Sequence, residues 1–202
     1  GMKAESEART NLCTYAFPTS ATWNTSTGGT GVIPVVTDNA AVSPSGASDA
    51  FQVDYDTGGG GTISDRSAFS HPSMTTTTSV DYTGSVWLKA TTGSDVGKEL
   101  GLRGVGASAY EVITLTADWV RYNTTETAVG TSSVIETVAR DTITADQTVS
   151  ALIWGAQLEA GSTPSSLIPT YGATRTRTAE TWTQQEDKII WPNTTYAGSE
   201  LV

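Results

Sequence analysis

The side chains able to do nucleophilic or acid–base chemistry are few in this sequence. His71 is the sole histidine and Cys13 the sole cysteine of 202 residues. A Ser-His-Asp nucleophile needs an imidazole as its base. His71 sits between Ser70 and Pro72 with no nucleophile-elbow motif around it, and it reads as a turn histidine. Cys13, next to Leu12 and near Tyr15, reads as a small buried hydrophobe rather than a reactive thiol. Zinc would need more Cys or His ligands than these two. Glycoside hydrolysis needs two carboxylates about 5–9.5 Å apart. With 21 acidic residues, pairs arise by chance, and nothing marks a chosen pair. The chain is therefore expected not to be an enzyme.

Binding chemistry leaves a clearer trace. Sugars are held by aromatic faces stacking on C–H bonds, while amides, carboxylates and guanidinium groups read the hydroxyls. In the run from Tyr82 to Ala90, Val86 and Leu88 alternate with Trp87 and Lys89. If the aliphatic pair faces a core, Trp87 and Lys89 lie on the outer face. That pair, with Arg103 and Trp154 as neighbours, is the candidate carbohydrate site; packing tryptophans are the competing reading. Asp54, Asp56 and Asp65 flank the glycine-rich turn Gly58–Gly61 and form a candidate calcium set, with solvated surface acids as the simpler alternative. No Gly-Lys-Ser/Thr follows those glycines, so a phosphate loop is not expected. Asn24, Asn123 and Asn193 open Asn-x-Ser/Thr triplets, which a threonine-rich chain produces by chance.

Strands and turns must position these residues. The hydrophobic fraction is only 37%, glycine reaches 20, and threonine is frequent. Threonine suits half-exposed strands, and glycine supplies the turns between them. Residues 1–10 read as a polar lead-in. Strand candidates are Asn11–Phe17, Val32–Val36, Phe51–Tyr55, Ile63–Phe69, Tyr82–Ala90, Leu100–Arg103, Val112–Tyr122, Ser133–Val138 and Val149–Leu158. Pro34 demotes its run to an edge strand or a bulge, while Phe51, Val53 and Tyr55 show clean period-two alternation. Thr19 to Gly31 is dominated by Thr, Ser, Asn and Gly around Trp23, and Thr174 to Thr178 reads as an exposed extended strand. No segment sustains a 3.6-residue apolar period, so the pattern predicts an all-β, two-sheet antiparallel sandwich over 11–180. Residues 181–202 form an extension whose Trp182, Trp191 and Tyr196 call for cover by the sandwich or a neighbouring subunit.

Net charge is −10. Phosphate backbones repel such a surface, so neither nucleic acid nor an anionic membrane is an expected partner. No apolar run reaches the roughly 18 residues of a membrane span. The chain opens with no basic segment followed by an apolar one, so no secretory signal is expected.

Four segments together resemble a domain common in phage tail and virion proteins, related to CenC-like carbohydrate-binding modules. Ala8-Arg9-Thr10-Asn11-Leu12, followed by Phe17 and Trp23, is similar to the opening of that family. Val80 to Ala90, ending Ser85-Val86-Trp87-Leu88-Lys89-Ala90, resembles one of its strands, and Thr114-Leu115-Thr116-Ala117-Asp118-Trp119-Val120-Arg121-Tyr122 another. Ile153-Trp154-Gly155-Ala156-Gln157-Leu158-Glu159-Ala160-Gly161-Ser162, then Ser166-Leu167-Ile168-Pro169-Thr170, is the most distinctive stretch, and Thr176-Arg177-Thr178-Ala179 fits the family's close. The resemblance spans roughly residues 8–180. It implies a jelly roll whose first and last strands come together, with Trp23 and Trp119 in its core. It also implies an extracellular place on a virion surface, for display or host attachment, with other virion proteins and a host-surface glycan as partners. A homo-oligomer, in leading form a trimer, is expected. An autonomous lectin-like module and a polysaccharide depolymerase are the alternatives.

Overall fold

The computed structural model describes residues 7–105, 110–141, 143–144 and 147–179. Two five-stranded antiparallel sheets face one another. The first runs in the order β10 (Val120–Thr127), β7 (Asp81–Ala90), β13 (Thr148–Ala160), β4 (Ala50–Asp56), β3 (Val32–Ala41). The second runs β2 (Asn24–Gly28), β5 (Arg66–Ser70), β12 (Glu136–Arg140), β8 (Glu99–Arg103), β9 (Glu111–Thr114). Short β6 (Met74–Thr75) pairs with β11 (Ser132–Ser133), and β1 (Arg9–Asn11) pairs with β14 (Arg175–Arg177). The chain is an all-β jelly-roll sandwich, and its first and last described strands meet as expected.

Alternation decides what fills the interior. Phe51, Val53 and Tyr55 of β4 are buried while Gln52, Asp54 and Asp56 are half-buried on the other side. Val86 and Leu88 of β7 and Leu100 and Leu102 of β8 are fully buried. Trp23 stacks on Phe69 at 5.2 Å, and Phe69 meets Phe51 at 5.5 Å, so aromatic contact runs from one sheet to the other. The Tyr55 hydroxyl also crosses the core to the Thr137 hydroxyl at 2.7 Å. Cys13 is fully buried, and burial pushes its thiol well above the ordinary value.

Pro34 behaves as its chemistry requires. β3 is an edge strand, and its register slips between Val32 and Val35. Four expectations need correction. The first strand is Arg9–Asn11, and the expected strand Asn11–Phe17 keeps only an isolated bridge from Tyr15 to Tyr171. The Val112–Tyr122 run is two strands, broken by a turn around Ala117 and Asp118. The polar stretch after Trp23 contains β2, an edge strand with no apolar residue to advertise it. Trp119 is not a core residue: it is half-buried just ahead of β10, and its indole N–H donates to the Val42 carbonyl at 3.1 Å. Trp182, Trp191 and Tyr196 lie outside the described residues.

The most distinctive sequence stretch is a clamp. β13 is the central strand of its sheet, and its register shifts between Trp154 and Gln157 around Gly155, which has a φ of 64°. The buried Asn11 amide donates to the Ala156 and Ile168 carbonyls at 3.2 and 2.9 Å. Its oxygen accepts from the amides of Cys13 and Leu158 at 3.0 and 3.1 Å. Gln157 donates to Glu159 at 2.6 Å and accepts from the Ile168 amide at 2.7 Å, while the Glu159 carboxylate receives Ser165 N–H and O–H, both at 2.7 Å. Every polar group in this buried network has a partner, and the network ties β1 and the loop after β13 to the sheet.

Candidate functional site

Alternation places Trp87 and Lys89 on the outer face of the first sheet, opposite Val86 and Leu88. Both are half-buried, and among the described residues Lys89 has no ion-pair partner. Trp154 lies in register with Trp87 on the same face but is buried at 7% exposure. Phe17 packs on it at 5.2 Å and Tyr171 packs on Phe17 at 5.3 Å. Trp87 in turn lies against the backbone of Gly155, where an added Cβ would stand 3.0 Å from its ring. Trp154 is thus part of the packing between β13 and the segments that cross it. Arg103 is not a neighbour of Trp87: β8 belongs to the second sheet.

The three aspartates do not assemble into a calcium site. Asp54 accepts from Gln52 at 2.8 Å and from the Ser150 hydroxyl, and Asp56 accepts from the Gly58 amide at 2.7 Å. Asp65 receives the Thr30 amide at 2.7 Å and both the amide and hydroxyl of Thr62 at 2.8 Å. Those donors, the Thr30 amide foremost, hold its carboxyl at about 2. A carboxylate ringed by N–H and O–H groups is a turn anchor, because their positive ends repel a cation. Among the described residues no group of three or more His, Cys, Asp or Glu side chains could hold a metal ion.

Arg103 leads instead to a polar cluster on the outer face of the second sheet. Leu100 and Leu102 point into the core, so Gly101 and Arg103 point out. Register places Glu136 beside Arg103 and Val138 beside Gly101. Arg103 and Glu136 form an ion pair at 3.1 Å. Tyr110, just ahead of β9, donates its hydroxyl to the other Glu136 oxygen at 2.6 Å. The guanidinium carbons of Arg103 and Arg140 lie 5.0 and 5.6 Å from the Tyr110 ring centroid. Gly101 leaves the room that Tyr110 uses: a Cβ there would stand 3.2 Å from the Tyr110 Cβ and 3.0 Å from Val138. Burial, then the Glu136 hydrogen bond and charge, push the phenol up, so Tyr110 stays a protonated donor. On the next strand Arg66 stands directly opposite Arg140.

Tyr110, Glu136, Arg140 and Arg66 were not singled out from the sequence. The available signal was weak: Glu136 and Arg140 share the even-numbered, outward parity of β12, as Arg66 does on β5.

No protein-family model matches the sequence, and no characterised protein matches it in direct sequence comparison. Among solved structures, the chain is similar to the enzymatically active domain of tailspike protein 4 of bacteriophage CBA120, with 16% identity and a TM-score of 0.51. That match covers 75% of this chain and 21% of the tailspike chain, so the likeness spans about a fifth of that protein. An arabinose-bound α-L-arabinofuranosidase matches with 16% identity and a TM-score of 0.49, over 75% of this chain and 26% of its own. The family 11 carbohydrate-binding module of a Clostridium thermocellum cellulosomal cellulase matches with 8% identity and a TM-score of 0.47, over 77% of this chain and 97% of its own. At 16% identity the tailspike likeness speaks for a shared fold alone.

Proposed function

We propose that this chain is a non-catalytic, glycan-binding sandwich of a phage tail or virion surface, and that the outer face of the second sheet is its platform. The observation that carries this reading is the fixed group of Tyr110, Arg103, Glu136 and Arg140. A ring for stacking on sugar C–H groups stands among guanidinium donors and a carboxylate acceptor. Their mutual hydrogen bonds hold them before any ligand arrives. The ordered sequence resemblance to phage tail and virion domains supports the virion setting. An autonomous lectin-like module would use the same face.

Titration calorimetry against host-surface polysaccharides tests the platform. Binding that Tyr110→Ala weakens at least tenfold, in a variant that still unfolds cooperatively, is the expected result; undiminished binding by that variant removes the assignment. Release of reducing ends from a bound polysaccharide would replace the binding module by a depolymerase. Light scattering tests the oligomer, and a strict monomer would exclude the trimer while leaving the binding face intact.

A further inference from the structure

We infer that the protein closes an ester bond between the Ser165 hydroxyl and the Gln157 side chain, with Glu159 carrying the proton.

The buried network at the end of β13 brings together a nucleophile, a base, an acyl group and an oxyanion donor. Gln157 and Glu159 are fully buried, and Ser165 is 7% exposed. The Ser165 hydroxyl donates to Glu159 Oε2 at 2.7 Å, so its proton already points at a base. Gln157 Nε2 donates to that same hydroxyl oxygen at 3.1 Å. The amide carbon is one bond of about 1.33 Å beyond the nitrogen, which places it within about 4.4 Å of the hydroxyl oxygen. Closing that gap by about 1 Å reaches near-attack distance. Gln157 Oε1 accepts the Ile168 N–H at 2.7 Å, where an oxyanion donor belongs. Glu159 Oε1 accepts from Gln157 Nε2 at 2.6 Å, so one carboxylate touches both the entering and the leaving group.

The chain fixes these groups firmly. Gln157 and Glu159 are two apart on β13 and share a face. Arg121 donates to the Ser165 carbonyl at 2.6 Å and Arg177 to the Ser166 carbonyl at 3.3 Å, which pins the turn that carries the hydroxyl. The Ser165 N–H adds a bond to Glu159 Oε1 at 2.7 Å. Burying a carboxylate is costly unless it is paired, and Glu159 makes no ion pair among the described residues. A proton carrier accounts for a charge that support alone does not need.

The step balances within the chain. Glu159 takes the hydroxyl proton as Ser165 Oγ attacks Gln157 Cδ, and charge gathers on Oε1 against the Ile168 N–H. The Cδ–Nε2 bond then breaks, Glu159 passes the proton to the nitrogen, and ammonia leaves. Glu159 ends as it began. Ser162, Thr163 and Ser166 beside the site are exposed, so the way out is short, while burial of the reacting groups shields the ester from water.

The test is the mass of the whole chain, measured after denaturation. It should fall short of the sequence mass by one ammonia. The deficit should map to the tryptic peptide from Asp141 to Arg175, with no fragmentation between Gln157 and Ser165. Hydroxylamine should open the ester and leave a hydroxamate on Gln157, and Ser165→Ala should show its own sequence mass. A parent chain at full sequence mass overturns the bond. So does a deficit that maps elsewhere, resists hydroxylamine or persists in Ser165→Ala. The parent measurement decides without any variant, so a variant that fails to fold does not affect the answer.

Discussion

Gly84 and Gly104 meet backbone against backbone, so closely that a Cβ on Gly84 would stand 2.6 Å from the Cα of Gly104. Gly84 is in the first sheet and Gly104 directly follows β8 of the second, so the sandwich is pinched shut at this point. The obstacle is main chain, which cannot rotate aside as a side chain would. Gly84→Ala should therefore lower stability by about 2 kcal/mol, read from urea or thermal unfolding. Gly130→Ala, whose Cβ would meet nothing within 4 Å, serves as the control and should stay within about 0.5 kcal/mol of the parent.

Asn11 offers a second test. Its side chain serves two carbonyls and two amides in a fully buried setting. Asn11→Ala leaves all four without that partner, and an unpaired buried group costs about 1–3 kcal/mol. A loss of about 3 kcal/mol or more is expected in chemical unfolding. A loss below about 1 kcal/mol would mean that β1 is not anchored by this amide.

Acid should weaken the fold in two stages. His71 is 2% exposed; its Nδ1 donates to the Pro72 carbonyl at 2.6 Å, and its Nε2 accepts the Thr14 amide at 3.1 Å. Burial lowers its pKa below the ordinary 6.5, so the folded protein keeps a neutral ring. The unfolded chain takes up the proton first, so this contribution is complete above pH 6.5 and shrinks as pH falls below it. Asp65, held at about 2, adds stability that is present above the ordinary 3.8 and lost between there and about 2. Melting temperatures from pH 8 to pH 2 should fall in both windows. His71→Gln should abolish the upper step and keep the lower one; an unchanged upper step would remove His71 as its source.

The two faces of the sandwich can be told apart by one comparison. Trp87→Ala should leave glycan affinity within about twofold of the parent, since that residue lies on the opposite sheet from Tyr110. A tenfold loss in Trp87→Ala, with full affinity in Tyr110→Ala, would move the platform to the face carrying Lys89.

Strands with one buried side were legible because alternation is a local property: β4, β7 and β8 follow directly from Phe51-Val53-Tyr55, Val86-Leu88 and Leu100-Leu102. The edge strand β2 escaped because Asn24-Thr25-Ser26-Thr27-Gly28 buries no apolar side chain. Trp119 was misplaced because bulk suggests a core, whereas its N–H finds a carbonyl near the far edge of the sheet. The candidate platform was harder still. Arg66, Tyr110 and Glu136 lie on three separate chain segments, and only the pairing of β5, β12 and β8 brings their outward positions together. Arg103 was grouped with Trp87, on the wrong sheet, because its true neighbours cannot be read from residues near it in sequence.

Pairing of β1 with β14 sets Arg9 opposite Arg177, about 5 Å apart as adjacent strands must be. Chain entering at Arg9 and chain departing after Arg177 therefore share a single doorway. A polypeptide of any length could carry the sandwich as a pendant on a two-stranded stem, without stretching the backbone on either side to accommodate its width.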